Sequence, residues 1–507
     1  MQDAGGGEAG RGADPHEWSA SPPASKPASV CLCMGRQSRE KALAMASPFH
    51  LIERTSTLPA SAEEAFAWHE RPGAFVRLTP PWERVEVMER TGGIEAGART
   101  TLRVHAGPIP LRWVAVHRDY VQGRRFVDEQ VEGPFSHWIH QHLFEPMGPA
   151  ASRYTDRIEF APPFGTLGAA AGMWLARPRA ERMLVYRHST LREDLAAHAR
   201  FRSHGPIHLA VTGASGMLGS ALVPFLTTGG HRVTPVTRQP KPSDAIHWDP
   251  SSGAIEASAF EGLDAVVHLA GENIGVRWTG DRKRRIRESR TEGTRLLAEA
   301  LAGLKRPPRV LVSASAVGVY GDRGDEVLSE DATPAGPPAD FLVEVGREWE
   351  AATEPARAAG IRVVNLRFGI VLTPAGGALA RMLPPFRAGA GGPLGGGKHW
   401  VSWISVDDAV GAVHHAVFTG ELSGPVNAVA PEPVTSRTFA STLGRVLHRP
   451  AILPAPAPAL RLLFGEMADT ALLGSQRVSP ARLVASGYSF RHPRLEAALR
   501  HVLGRSS

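Results

Sequence analysis

The sequence predicts a two-part molecule: an α/β half built on a doubly wound parallel sheet, preceded by an α+β half in which a sheet curls around one long helix. Three patterns carry this. From about residue 206, short apolar runs alternate with amphipathic stretches, the rhythm of βαβ units. The first run, Ile207–Val211, leads at once into Thr212-Gly-Ala-Ser-Gly-Met-Leu-Gly219, which reads as a glycine-rich turn opening a helix. Before residue 202, one short helical stretch, several alternating stretches and a long helical stretch follow in that order.

Residues 1–44 are rich in Gly, Ala, Ser and Pro, lack an apolar core and do not resemble a signal peptide, so they read as a disordered tail. The two cysteines, Cys31 and Cys33, fall there. The rest of the chain therefore has no disulfide, cysteine metal site or thiol nucleophile, which suits a reducing cytoplasm. Patterned sequence begins near Phe49, so Met34 or Met45 is expected as the true start. A native N-terminal peptide beginning at Met1 would overturn that.

Residues 47–202 form the first predicted domain. His50–Thr55 alternates like a strand, and Ser61-Ala-Glu-Glu64 is a capping box before a short helix. Strand-like stretches follow at Arg99–Val104, Arg112–Arg118, Ser136–Phe144 and Tyr154–Phe160. Leu175–Ala199 reads as the closing helix, with Pro178 near its start, and the linker is placed at 200–206. In the second domain, 206–450, strands are expected at His231–Val236, Leu263–Leu269, Arg309–Ser315 and Arg362–Arg367. Helices are expected at Gly216–Thr227, Arg282–Leu304 and Leu342–Ala358. From about Thr373 the chain turns Gly- and Pro-rich, as expected of an irregular substrate-side lobe, and 451–507 reads as a small helical unit.

The octet suits a dinucleotide pyrophosphate. Gly213 permits the tight turn, Gly216 lets backbone N–H groups approach the phosphates, and Gly219 lets the helix pack on the strand. An acid at the end of the second strand would bind a free ribose 2′-hydroxyl. Here that strand ends in Thr237-Arg238, a hydroxyl and a guanidinium suited to a 2′-phosphate, so NADP(H) is expected over NAD(H). Small Ala270 and Gly271 after the third strand leave room for the nucleotide, and Asp264 is expected to hold local loop amides.

Net charge is +7, with arginine far exceeding lysine. No nucleic-acid-binding module accompanies that excess, so a nucleic-acid partner is not expected. No apolar run approaches the ~20 residues needed to span a bilayer. The oligomeric state is not legible.

With these motifs in hand, residues 206–503 resemble the extended short-chain dehydrogenase/reductase superfamily, in its atypical NAD-dependent-epimerase-like branch. The matching stretches include Thr212–Gly219, His268-Leu-Ala-Gly-Glu-Asn273, Ser313-Ala-Ser-Ala-Val317, Trp349-Glu350, Leu366-Arg-Phe-Gly-Ile-Val-Leu372, Ser402-Trp-Ile404 and Gly424-Pro-Val-Asn427. Gly465–Asp469 and Gly474–Val478 resemble the small domain that ends such proteins. The resemblance implies a Rossmann fold and NADP(H) contacts at Gly213, Ser215, Gly216, Met217, Leu218 and Gly219, at Thr237 and Arg238, at Leu269, Ala270 and Gly271, and at Arg290.

The chain departs from the family where proton transfer should be. Active members use a serine, a tyrosine and a lysine four residues on, the lysine lowering the tyrosine pKa. None of the five tyrosines here has a lysine four residues later. In Asp340-Phe-Leu-Val-Glu-Val-Gly-Arg347 the tyrosine position falls on Phe341 or Leu342 and the lysine position on Val345 or Gly346. Glu272, Ser315, Tyr320, Asp340, Arg367 and Lys398 are the candidate substitutes, with Ser315 the foremost.

Residues 47–200 resemble the START-like, polyketide-cyclase-like helix-grip superfamily, on Phe66–Phe75, Leu78-Thr-Pro-Pro-Trp-Glu83, Gly133-Pro-Phe135 and Tyr186-Arg-His188. The resemblance implies a pocket for a hydrophobic ligand, for which Phe66, Trp68, Phe75, Trp82, Trp113, Phe126, Phe135, Trp138, Phe144 and Trp174 are candidate lining. The alternative is that these rings are simply core. His140 and His142 share a strand face with no acidic ligand close in sequence, so no metal is expected. The functional expectation is an NADP(H)-dependent oxidoreductase or epimerase-like enzyme acting on an apolar small molecule. The alternative is a non-catalytic NADP(H)-bound sensor or carrier.

Overall fold

The computed structural model describes residues 49–163, 165–239, 244–333 and 340–505. The tail, with both cysteines and the two internal start candidates, lies outside the described residues. The first sheet has seven antiparallel strands: β1 (His50–Leu58), β2 (Val85–Thr91), β3 (Arg99–Ala106), β4 (Ile109–Val121), β5 (Arg125–Glu132), β6 (His137–Pro146) and β7 (Ser152–Ala161). They pair in the order β1-β7-β6-β5-β4-β3-β2, so the first strand closes on the last, His50 opposite Phe160. Ser61 caps the helix Ala62–Glu70, its Oγ accepting from the Glu64 amide at 3.2 Å. Strand β2 went unread because it is a polar edge strand, exposed from Val87 onward.

The closing helix runs from Gly165 to Arg200, ten residues longer at its start than the sequence reading gave. The Gly/Ala-rich stretch there looked like a loop, yet alanine is a strong helix former. Leu191 and Leu195 of this helix enter one core with Phe66, Trp68, Phe126, Phe144 and Tyr154. Phe66 packs edge to face on Phe126 and Phe144, at 6.0 and 5.4 Å. A second group joins Phe135, Trp138 and Phe160. Trp174 is 85% exposed and belongs to neither.

The second sheet is built from β8 (His208–Thr212), β9 (Arg232–Thr237), β10 (Ile246–Asp249), β11 (Ala254–Ile255), β12 (Ala265–His268), β13 (Val310–Ala316), β14 (Arg362–Phe368) and β15 (Gly424–Ala428). Their order is β11-β10-β9-β8-β12-β13-β14-β15, parallel except for the β10–β11 hairpin. The chain winds outward from β8 in one direction and then restarts at β12 in the other, the crevice where ligands bind in open α/β sheets. Asp264 accepts from the amide of His208, the first residue of β8, at 2.9 Å, so its partner is a neighbouring strand 56 residues earlier and not the local loop expected.

Three expectations need correction here. The helix after the glycine turn starts at Gly219, not Gly216. The stretch 342–358 is two helices, Phe341–Ala351 and Glu354–Ala358, the second opened by Pro355. The region beyond Thr373 is not irregular, for it contains helices Gly377–Arg387, Val406–Phe418 and Ser436–Leu447. Val406–Phe418 is buried on nearly every side, so it offers no amphipathic stripe to read.

A buried ion cluster joins the two halves. Arg77 donates twice to Asp194 at 2.8 Å and once to Asp407 at 3.0 Å. Arg491 donates to Asp194 at 2.8 Å, and His501 lies 3.1 Å from Asp407. Each arginine and each aspartate is under 9% exposed at its side chain.

Candidate nucleotide site

The glycine turn is fixed by space and backbone shape. Gly213 has φ +67°, and a Cβ there would stand 2.9 Å from the Ala270 nitrogen. A Cβ on Gly219 would overlap the Gly213 carbonyl oxygen. Both positions therefore demand glycine. Between them Ser215, Gly216 and Met217 are exposed, and helix Gly219–Thr228 begins directly behind. The first amides of a helix lack helical partners and carry partial positive charge, which makes this corner an anion seat.

The opposing wall is held by a network that the sequence did not disclose. Thr212 Oγ1 accepts from the amides of Leu269 and Ala270 at 3.1 and 3.2 Å. Its own hydroxyl therefore donates to His268 Nδ1 at 2.8 Å, and His268 Nε2 donates to Thr294 Oγ1 at 3.0 Å. Burial and then the charge of Arg290 push the His268 pKa down to about 4, so the ring is neutral. Two threonines and one histidine thus lock β8, β12 and helix Gly280–Ala302 together around the crevice. The one clue in sequence was a histidine inside the apolar run of β12.

Thr237 and Arg238 close β9, the strand beside β8, and Arg238 is exposed. Arg290 lies against Gly271, where a Cβ would be 3.3 Å from its guanidinium carbon. It donates to the Glu272 carbonyl at 3.0 Å and sits 4.9 Å over the Trp349 ring. Burial lowers its pKa to about 10. The twelve residues expected at the cofactor thus line three neighbouring strand ends and the helix above them.

The catalytic candidates divide. Ser315, Tyr320 and Arg367 come together at the carboxyl ends of β13 and β14. Ser315 Oγ donates to Glu350 at 2.7 Å, and Arg367 grips Glu350 with two bonds of 2.7 and 2.8 Å. Arg367 also donates to Tyr320 Oη at 2.8 Å, and that hydroxyl donates to Asn427 Oδ1 at 2.8 Å. Burial raises the Tyr320 pKa despite Arg367. The other three stand elsewhere: Glu272 pairs with Arg282, Asp340 caps helix Phe341–Ala351 through the amides of Leu342 and Val343, and Lys398 is exposed. Phe341, Val345 and Gly346 are buried, and a Cβ on Gly346 would already press Val319 at 3.0 Å. No lysine fits there.

In the first sheet, His140 and His142 do share a face, and the fold supplies carboxylates that the local sequence lacks. His142 lies 3.1 Å from Asp128 and 2.7 Å from Asp156, and His140 lies 3.1 Å from Asp156. Tyr154 Oη donates to Asp156 at 2.7 Å. Burial pushes the His140 pKa down to about 4, whereas Asp156 holds His142 above its ordinary value against burial. Asp156 Oδ2 has no hydrogen-bond partner among the described residues, and one ligand atom each of Asp128, His140 and His142 lies within 4.8 Å of the others.

The model of the NAD dependent epimerase/dehydratase family matches residues 209–428, and the polyketide cyclase/dehydrase and lipid transport model matches 58–185. A domain of unknown function matches 455–502. An epimerase family protein of Mycobacterium bovis is 42% identical over 59% of this chain and 98% of its own length. Human epimerase family protein SDR39U1 is 38% identical over 59% of this chain and 100% of its own. Among solved structures, a nucleoside-diphosphate sugar epimerase from Corynebacterium glutamicum is 33% identical, covers 89% of this chain and 90% of its own, and has a TM-score of 0.72. Human SDR39U1, crystallised with NADPH, is 36% identical over 59% of this chain and 99% of its own, with a TM-score of 0.54.

Proposed function

Because the chain belongs to the NAD-dependent epimerase/dehydratase family, we propose that it is an NADP(H)-dependent oxidoreductase acting on a small molecule. The observation that carries the proposal is the corner itself. Gly213 and Gly219 cannot bear side chains, and the exposed turn between them sits at a helix start beside the sheet's switch point. That cradle fits a diphosphate, and Arg238 fits a 2′-phosphate. The NADPH in the crystals of human SDR39U1 supports the same choice. The cofactor supplies the hydride. The chain binds it through the residues of the turn, Thr237, Arg238, Leu269–Gly271 and Arg290.

Ser315 is the proposed proton donor. Its hydroxyl is hydrogen-bonded to Glu350, which Arg367 grips, so Ser315 can relay a proton between Glu350 and substrate: in carbonyl reduction the proton passes from the Glu350 carboxyl through Ser315 to the substrate oxygen, and in the reverse direction it returns. The sugar epimerase activity of the Corynebacterium neighbour is not carried over, since residues 341–346 hold no tyrosine–lysine pair. Titration calorimetry with NADPH and NADH tests the cofactor, and oxidation of NADPH against a carbonyl panel tests the chemistry. Tighter NADH binding overturns the first, and silence across the panel overturns the second.

One observation favours a second reading. Ser315 is only 3% exposed, which suits a protein that binds the nucleotide without turning it over and senses a hydrophobic ligand. That reading requires NADPH affinity to change when such a ligand occupies the helix-grip half.

A further inference from the structure

The last turn of helix Gly165–Arg200 ends beside the start of β9 and the middle of helix Val406–Phe418. Three imidazoles meet there, His198, His231 and His414, with one ring nitrogen from each lying within 4.8 Å of the others. They come from both halves of the molecule. Among the described residues their neighbours do not satisfy them: neither nitrogen of His198 has a hydrogen-bond partner, nor does Nε2 of His414, which is 2% exposed. Buried polar atoms are nearly always paired, and an orphaned set calls for water or an ion.

We propose that His198, His231 and His414 form a site for a zinc-class divalent cation that staples the helix-grip half to the nucleotide half. Three imidazoles around a tetrahedral zinc, at about 2.05 Å per Zn–N bond, place their ring centroids about 5.2 Å apart. The observed separations are 5.6, 5.9 and 6.5 Å. Closing the set therefore asks each ring to move by less than about 1 Å, within the adjustment that Zn–N bonding drives. His231 gives up one long contact in doing so, the 3.3 Å bond that its Nδ1 accepts from the Ile207 amide.

Access and charge also fit. His198 and His231 line a cleft of about 170 Å³, with Glu64, Arg71, Phe201 and Gly229 on its walls. A fourth ligand, water or a small anion, can enter from that side, as in zinc sites built on three histidines. The arginines whose charge reaches these rings are each paired: Arg71 with Glu64, Arg77 with Asp194 and Asp407, and Arg491 with Asp194. The rings also pack on Phe225 and Phe418, His198 at 4.5 Å from Phe225, but packing alone would be served equally by phenylalanine.

The test is calorimetric titration of Zn2+ into the untagged, EDTA-treated full chain, with Co2+ absorption reporting the geometry. The proposal expects one equivalent bound, a tetrahedral Co2+ spectrum, and a thermal midpoint that rises with metal. His198→Phe keeps the ring packing and should lose at least 100-fold in affinity. His231→Gln, at the more accessible ligand, should do the same, with NADPH binding in each variant showing that the fold is retained. Absence of stoichiometric binding in the wild type overturns the site. So does binding that survives in either variant that still takes up NADPH.

Discussion

Replacing Gly216 by alanine separates cofactor binding from folding at the glycine turn. Gly216 is exposed, and its φ lies outside the left-handed region. A Cβ there would stand 3.1 Å from the Gly213 carbonyl oxygen and meet nothing else within 4 Å. The Gly213 carbonyl must give by a few tenths of an ångström, and the stiffer unfolded chain offsets part of that cost, so stability should fall by no more than about 1 kcal/mol. The methyl would stand, however, in the space a phosphate must enter. If that excludes even one amide bond to a charged oxygen, at about 1.5–3 kcal/mol, NADPH affinity falls about 10- to 150-fold at 1.4 kcal/mol per decade. Gly213→Ala is the contrast: φ +67° and backbone atoms at 2.9 Å mean it should lose both affinity and about 1–3 kcal/mol of stability. Calorimetry and thermal melts on the same samples decide. NADPH binding to Gly216→Ala within twofold of wild type, at unchanged melting temperature, would mean that the coenzyme is not seated at this corner.

Other expectations follow from the same geometry. Arg238→Ala should weaken NADPH about 10- to 150-fold and leave NADH within twofold, because a charge-assisted bond to the 2′-phosphate exists for one coenzyme only. Ser315→Ala should lower turnover about 100-fold or more, with NADPH dissociation unchanged by calorimetry. Asp194→Asn leaves Arg77 and Arg491 undercompensated in a buried place and should cost about 3–5 kcal/mol in chemical denaturation. The arginines hold Asp194 and Asp407 below the ordinary carboxylate range against burial. A depressed folded pKa stabilises above the unfolded value of about 3.9 and is lost as pH falls through the folded one. Melts from pH 7 down to pH 3.5 should therefore show wild type losing stability faster than Asp194→Asn.

How much of this was legible depends on what each feature asks of the chain. The glycine turn was readable because a left-handed φ at Gly213 and a missing Cβ at Gly219 dictate residue type locally. Arg290 came only from the family resemblance, which put it on the helix after the Gly271 loop, and its contact with Gly271 is seen only in the fold. Partners across strands were not readable. The alternation of His140 and His142 gave their face, but Asp128 and Asp156 come from the flanking strands and depend on pairing order. Glu350 went unrecognised as the partner of Ser315 for the same cause, since 35 residues and a helix separate them. Helix Val406–Phe418 escaped because a helix buried all round has no polar face to set its period. Trp174 was misjudged because bulk suggests burial, and its place on the long helix faces outward at 85% exposure.

Helix Gly219–Thr228 is touched by both halves of the molecule. Its first turn forms the nucleotide corner, and its last turn, about 15 Å away at 1.5 Å per residue, is held by the helix-grip half. Gly73 sits with φ +95° so close to that last turn that a Cβ would stand 2.6 Å from Pro224 Cα. Arg71 donates to the Thr228 carbonyl at 2.9 Å, and Thr227 Oγ1 donates to the Pro72 carbonyl. Arg77 and Arg491 place their guanidiniums 5.7 and 5.6 Å from the Phe225 ring on the same helix. A helix is stiff along its axis, so the helix-grip half cannot shift its corner at 71–77 without pushing on the element that presents the phosphate amides. If a hydrophobic ligand that changes the packing of Phe66, Trp68 and Leu195 is coupled to the coenzyme through this helix, NADPH affinity should change by the same factor as that ligand's affinity, and two independent affinities in calorimetry would refute the coupling.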